Sequence, residues 1–200
     1  FALSEAVDGA GEAGRVVFGI ILGTGCGGGL VVNRQLIVGP NAITGEWGHN
    51  PLPGYDPALD GPSQPCYCGR DNCIERFVSG TGFAGRFVAR HGRGLSPIGI
   101  ITAAAEGDVE AEAHYDHFIQ ALARSVASLI NVLDPDVIVL GGGLSNIDRL
   151  YLDLPQALTP YLFSDRCITP MVPARYGDSS GVRGAAWLPS CVEGATTWAI

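Results

Sequence analysis

The chain has 200 residues, 46% hydrophobic and 16% charged, which is enough apolar material to bury a substantial core. Its 20 acidic and 12 basic residues give a formal net charge of −8, arguing against a nucleic-acid or anionic-membrane surface in this segment. No apolar run reaches the length needed to cross a bilayer, so no membrane partner is expected.

The opening FALSEAVDGAGEAG reads as the end of a helix followed by a glycine-rich turn. Val16 to Leu22 (VVFGIIL) is a short β-branched apolar run, the pattern of a buried strand. It empties into Gly23-Thr24-Gly25-Cys26-Gly27-Gly28-Gly29. A second strand is predicted at Leu30 to Val32, with a turn near Asn33 and a return strand over Leu36 to Val38. From Asn41 to Glu75 the chain is irregular and rich in Pro and Gly, and so long a segment inside a compact domain calls for a physical cause.

That segment carries a cause. GEWGHNPLP supplies His49, and CYCGRDNCIE supplies Cys66, Cys68 and Cys73. Three thiolates and one imidazole satisfy the tetrahedral N/S preference of a closed structural zinc site. Cys66 and Cys68 are too near in sequence to bridge each other comfortably, so the C-x-C-x4-C spacing favours a metal over a disulfide. Four protein ligands leave no open position, so the metal is expected to brace the loop and not to activate water. With three of the 6 cysteines assigned to metal, no disulfide framework remains, and a reducing, cytoplasmic compartment is expected. Cys26, Cys167 and Cys191 stand alone and read as buried thiols. His91, His114 and His117 fall in helical stretches and read as solvated imidazoles.

Downstream, helices dominate. Ser96-Pro97 reads as a helix start, with a capping hydroxyl and Pro in the first turn. Asp108 to Leu133 is the strongest helix, with Phe118, Leu122, Val126, Leu129 and Leu133 on one face and Asp116, Gln120, Arg124 and Ser128 on others. Asp134-Pro135 ends it. Asp136 to Leu140 (DVIVL) is a buried strand, followed by Gly141-Gly142-Gly143 and a further helix. Gly181 to Leu188 reads as a helix whose small face packs closely on a neighbour. The order of strands, glycine loops and helices is an α/β pattern.

Two glycine clusters and two carboxylates carry the chemistry. GTGCGGG holds five glycines in seven residues. Its backbone N–H groups can converge on phosphate oxygens, with the Thr24 hydroxyl beside them, or the run can simply be a tight hairpin. Gly142 and Gly143 follow a strand, where ligands collect in open α/β sheets, although close helix–strand packing explains them equally well. Glu46 and Glu75 flank the proposed metal clip. They are candidate acceptors for polyol hydroxyls, with a helix cap or surface ion pair as the alternative. Glu46 and His49 share one side if their stretch is helical.

Taken together, Gly23–Gly29, ITGEWGHNPLP, CYCGRDNCIE, DPDVIVLGGGLSN and GDSSGVRGAAW resemble the ROK family of bacterial sugar kinases and repressors over nearly the whole chain. The second and last of these are most similar to the fructokinase branch. The resemblance implies an actin-like ATPase (ribonuclease H-like) fold, with residues 1–200 forming mainly its C-terminal lobe and the zinc loop at about 41–75. It implies ATP-dependent phosphorylation of a hexose, fructose first, with N-acetylglucosamine, mannose or glucose as alternatives. A sugar-responsive transcriptional repressor is the alternative of another class. Carried over to this chain, His49, Cys66, Cys68 and Cys73 hold structural Zn2+, and Glu46, His49 and Glu75 contact the sugar. Gly23, Thr24, Gly25 and Gly27 lie at the phosphates of Mg2+-ATP, and Gly142 and Gly143 lie against the adenosine. Family members often dimerise, so a homodimer is one implied assembly.

The chain also departs from the family. A DxGGT phosphate loop and the NDAN-type motif with the general-base Asp are absent, and in relatives the latter directly precedes a segment like FALSEA. The base is therefore expected upstream of Phe1, and these residues alone are expected to be inactive. Asn72 replaces the usual Gly before the last Cys, and Arg34 a usual turn Gly; both changes are expected to be tolerated.

Overall fold

The computed structural model describes residues 1–192. Its centre is a five-stranded sheet of order β3-β2-β1-β4-β5. Helix α1 (Ala2–Val7) leads into β1 (Val16–Leu22). Strand β1 pairs antiparallel with β2 (Cys26–Val32), in a register that runs from Val16↔Val32 to Leu22↔Cys26. The glycine run is therefore mostly strand: β2 begins at Cys26, earlier than predicted, and only Gly23–Gly25 turn. Asn33 and Arg34 make the next turn with φ of 53° and 63°. Both are left-handed, as a two-residue hairpin that follows the sheet twist requires. The return strand β3 is confined to Gln35–Leu36 and does not reach Val38.

Between β3 and the helices lie α2 (Pro57–Asp60) and α3 (Glu75–Val78), followed by α4 (Gly80–His91) and α5 (Pro97–Ala105). The Ser96 hydroxyl caps α5 by accepting from Gly99 N at 3.1 Å. Helix α6 (Val109–Leu133) starts on Asp108, whose carboxylate accepts from Glu110 N and Ala111 N, and ends at Asp134 in the left-handed region. Strand β4 (Val137–Gly141) then pairs parallel with β1, α7 (Leu150–Leu158) follows, and β5 (Met171–Pro173) pairs parallel with β4. Asp136 ties the starts of the two central strands, accepting from Arg15 N at 2.9 Å and Val16 N at 2.7 Å. Helix α8 (Ser180–Val192) closes the described residues. The order of residues 193–200 and the burial of Cys191 lie outside the described residues.

Side chains alternate across the sheet, so β1 is apolar on both faces. Phe18, Ile20 and Leu22 pack with Phe118, Leu122 and Val126 of α6 in the larger core. Val17, Val31, Val137 and Val139 pack with Ala2, Leu3 and Ala6 of α1 on the opposite face. Helix α8 packs on α1 through its small face, since a Cβ on Gly184 would lie 2.8 Å from the Phe1 nitrogen. Buried Glu5 latches the two helices. Its carboxylate accepts from the Ser180 hydroxyl at 2.6 Å and from the backbone N–H of Ala10 at 2.8 Å and Arg175 at 3.0 Å. Burial opposes ionisation of Glu5, but these donors outweigh it and hold the carboxyl below its usual range.

Three side-chain expectations are corrected, one of them His91, whose ring is not solvated but packs on Phe87 with its side chain 13% exposed. His114 is buried, not solvated, because α4 brings Phe83 and Phe87 against it. Cys167 is exposed, on the segment between α7 and β5, which leaves it outside both cores.

Candidate functional site

The loop from Asn41 to Glu75 is folded around its own sulfur cluster. Trp47–His49 form one 3-10 turn on Glu46, with His49 N donating to Glu46 O at 3.2 Å. In that tight helix residues three apart eclipse, so Glu46 and His49 look the same way. They line one cavity of about 720 Å³ together with Trp47, Cys68 and Arg70. An isolated bridge pairs Pro51 with Cys73, with Leu52 N donating to Asn72 O and Ile74 N to Asn50 O. This brings the His49 segment onto the Cys73 segment. Gly69 at φ 86° and Asn72 at φ 57° bend the chain between the sulfurs. The Asn72 side chain fastens that bend by accepting from Gln64 N at 2.8 Å, a contact that glycine could not make.

As a result His49, Cys66, Cys68 and Cys73 place one ligand atom each within 4.8 Å of the others. Cys66 Sγ stands 3.5 Å from His49 Nδ1, and Cys68 Sγ stands 3.5 Å from Cys73 Sγ. Ligand atoms around a tetrahedral zinc are about 3.3–3.8 Å apart, so the four residues fit a closed N/S site. The electrostatics ask for a cation as well. The Arg70 backbone N–H, ahead of its sulfur and imidazole neighbours, brings the Cys68 thiol down to about 7. Burial, and then the adjacent sulfurs, push Cys73 up to about 12. Three sulfurs this close cannot all ionise unless a positive charge sits among them.

The clip is fixed to the core on two sides. Arg124 of α6 donates to Asp60 at 2.5 Å and to the carbonyls of Pro53 and Gly54 at 3.1 Å and 2.9 Å. The sequence placed Arg124 off the apolar face of α6, and the loop folds over it. Gly45 and Gly48 lie against β2, where a Cβ would meet the Gly28 and Cys26 carbonyl oxygens at 2.2 Å and 2.1 Å. Gly28 in turn leaves room for Trp47. Part of the glycine run therefore serves packing of the loop on the sheet.

Glu75, the first residue of α3, is only 9% exposed and points at the β1–β2 turn. Its carboxylate accepts from Cys26 N at 2.9 Å, and a Cβ on Gly25 would lie 2.7 Å from the same oxygen. Gly25 thus makes space for Glu75. Burial and the Glu75 charge push the Cys26 thiol far above its ordinary value, so it is inert packing, as expected.

On the other side of the turn is a cavity of about 620 Å³ lined by Gly23, Thr24, Gly80, Thr81, Gly142 and Gly143, among others. It exists because β1 and β4 are parallel neighbours whose carboxyl ends coincide at Ile21↔Gly141. Gly142, at φ 83°, comes so close to β1 that a Cβ would lie 2.6 Å from the Leu22 carbonyl, whereas a Cβ on Gly143 would meet open space. The amino end of α4 opens here too: Gly80 N donates to Gly23 O at 2.7 Å, and the Ser79 hydroxyl accepts from Gly82 N. The capped end of α5 at Pro97 adds a second helix terminus. Helix amino ends and glycine backbone favour an anion. Gly25 and Gly27 do not line this cavity.

The sequence reading missed Gly80, Thr81 and the Ser96–Ile98 wall. The Ser-Gly-Thr-Gly that follows ERFV could have flagged the α4 cap. It also missed Tyr67, whose hydroxyl stands 2.8 Å from His49 Nε2. The charge of Glu75, ahead of burial and then Cys66 and Glu46, raises the pKa of this phenol.

The sequence profile of the ROK family matches residues 1–191. An N-acetyl-D-glucosamine kinase of Yersinia pseudotuberculosis is 44% identical over 191 residues, covering 94% of this chain and 63% of that protein. The chain therefore spans less than two thirds of such relatives. Among solved structures, the ROK hexokinase from Thermus thermophilus has a TM-score of 0.82 at 27% identity, covering 94% of this chain and 62% of the other. A ROK family glucokinase from Streptomyces griseus, solved with glucose and AMPPNP, has a TM-score of 0.79 at 25% identity, with coverage of 94% and 64%. With the sheet order, these likenesses identify the actin-like ATPase fold.

Proposed function

Because the chain belongs to the ROK family, we propose that it is the C-terminal lobe of a sugar kinase that transfers the γ-phosphoryl group of Mg2+-ATP to a hexose hydroxyl. One observation carries this reading. The Gly23–Gly25 turn borders an anion-suited cavity on one side, and on the other Cys26 N, the next residue, holds Glu75, two residues beyond Cys73 of the His49 cluster. A phosphate donor and a hydroxyl acceptor would thus meet across three residues of backbone.

In this reading His49, Cys66, Cys68 and Cys73 hold a structural Zn2+ that keeps the loop in shape. Glu46, His49 and Glu75 hold and orient sugar hydroxyls, since carboxylates accept strongly from them. Gly23 and Thr24, with Gly25 and Gly27 behind them, offer backbone N–H groups to the phosphates. Gly142 and Gly143 admit the adenosine. Magnesium, when bound with ATP, neutralises the charge that develops on the phosphoryl oxygens. The acceptor hydroxyl attacks phosphorus as the bond to the ADP oxygen breaks, and its proton passes to a carboxylate base. We assign that base to the other domain of the complete protein. The relatives point to N-acetylglucosamine as the first acceptor to test. Fructose rests only on the likeness of GEWGHNPLP and GDSSGVRGAAW to fructokinases, and the relatives lend it no support.

The test is hexose-dependent ADP release by the complete natural chain and by these 200 residues, with N-acetylglucosamine, fructose, mannose and glucose in turn. Turnover by the complete chain alone, fastest with N-acetylglucosamine, is expected. A folded, zinc-loaded complete chain that releases no ADP with any hexose overturns the kinase reading.

A further inference from the structure

We propose that Tyr67 is a specificity-determining residue of the sugar site: its hydroxyl stands in for a substrate hydroxyl on His49 Nε2, and a sugar must displace it to bind. The assignment rests on the sugar-kinase reading above.

Tyr67 lies between two of the clustered cysteines, so its backbone is pinned. The residue is nevertheless 82% exposed. So exposed a ring gains little from burial, and its orientation needs another cause. The cause is His49. The rings meet edge-on, with centroids 5.0 Å apart at 88°, and the phenol oxygen is 2.8 Å from Nε2.

Nδ1 of His49 faces the sulfurs, so Nε2 is the nitrogen left to carry the proton and donates to the phenol oxygen. The phenol keeps its own hydrogen to give. It therefore accepts from imidazole and stays free to donate, as a sugar hydroxyl does. A sugar hydroxyl at that point would accept from Nε2 in the same sense. An incoming sugar exchanges one neutral hydrogen bond for another at His49 and must gain its selectivity at the carboxylates. A ligand without a hydroxyl there leaves Tyr67 in place. Rotation about χ1 carries the ring into solvent without disturbing the loop.

The test is calorimetric titration of the complete, zinc-loaded natural chain and its Tyr67→Phe and Tyr67→Ala variants with N-acetylglucosamine, glucose, mannose and fructose. The 15N resonance of His49 Nε2 is recorded without sugar as a companion. Both variants are expected to bind the preferred hexose about fivefold more tightly, the factor one neutral hydrogen bond is worth, with unchanged zinc content. The wild-type Nε2 resonance is expected to move on Tyr67→Phe. Variants that bind the same hexose equally or more weakly overturn the role of Tyr67 and leave the sugar site standing. Absence of binding by wild type and variants alike, for all four sugars, removes the sugar-site reading and this assignment with it.

Discussion

His114 shows at the scale of one residue how the fold sets chemistry that its local sequence does not announce. Its place on α6 follows from helical spacing, but its solvation is decided by Phe83 and Phe87, which arrive on α4 from a distant part of the chain. Nε2 donates to Phe83 O at 2.8 Å, and Nδ1 is buried without a partner. Burial lowers the pKa to about 4 from an ordinary 6.5. Between those values the unfolded chain binds a proton that the folded chain excludes. The neutral His114 contribution is therefore complete above about pH 6.5 and is lost as pH falls toward 4, a change of about 3 kcal/mol. Denaturant unfolding at pH 7.5 and pH 5, on zinc-loaded wild type and His114→Gln, tests this. The glutamine variant should be less stable at pH 7.5 and should lose less on acidification. Every other group is common to both proteins, so the difference reports His114. Equal pH dependence would assign the acid sensitivity elsewhere.

At the scale of elements, the loop from Asn41 to Glu75 is the part whose order depends on chemistry more than on packing. It contains one short α-helix, α2, the 3-10 turn at Trp47–His49 and two isolated bridges, and its buried apolar anchors are few: Trp47 and Leu52 among them. A metal held by His49, Cys66, Cys68 and Cys73 would supply the missing cohesion. Chelation of the metal should abolish amide-exchange protection across residues 41–75, while β1, β4 and α6 stay protected. The measurement is hydrogen exchange with and without chelator, paired with elemental analysis for zinc. Protection that survives in a zinc-free sample would show that the Asp60–Arg124 pair and the contact with β2 suffice. Spacing made the clustering of Cys66, Cys68 and Cys73 legible, because a C-x-C-x4-C run constrains its own geometry. It did not reveal why glycine fills β2, since Gly28 answers to Trp47 and Gly45, which return over the strand only after folding. Strand β5 was illegible for a related reason. Met171–Pro173 is short and bounded by Pro170, and pairing with β4 alone makes it a strand.

At the scale of the whole molecule, the turn between β1 and β2 joins the two halves of the candidate site. Gly23 contributes to the anion-suited cavity and accepts from the amino end of α4, and Cys26 N, three residues on, holds Glu75. Gly25 sits between them, and its lack of a side chain is what lets the carboxylate approach. A methyl group there would lie 2.7 Å from Glu75 Oε2 but 3.7 Å from Cδ, so the carboxylate must move while the backbone need not. Gly25 is not among the positive-φ glycines, so alanine meets no backbone strain. Gly25→Ala should therefore separate function from folding. Thermal stability is expected within about 1 kcal/mol of wild type, because the contact that must yield is the end of a flexible side chain. Hexose kcat/KM in the complete chain should fall at least tenfold, about the effect of losing one charge-assisted contact to the acceptor. Nucleotide affinity should fall less, since Gly23 keeps its bond from Gly80. Steady-state kinetics, nucleotide titration and a melting curve on the same preparation check all three. An unchanged kcat/KM would mean that Glu75 acts on the turn and not on the sugar. A collapsed melting curve would mean that the turn serves the fold first.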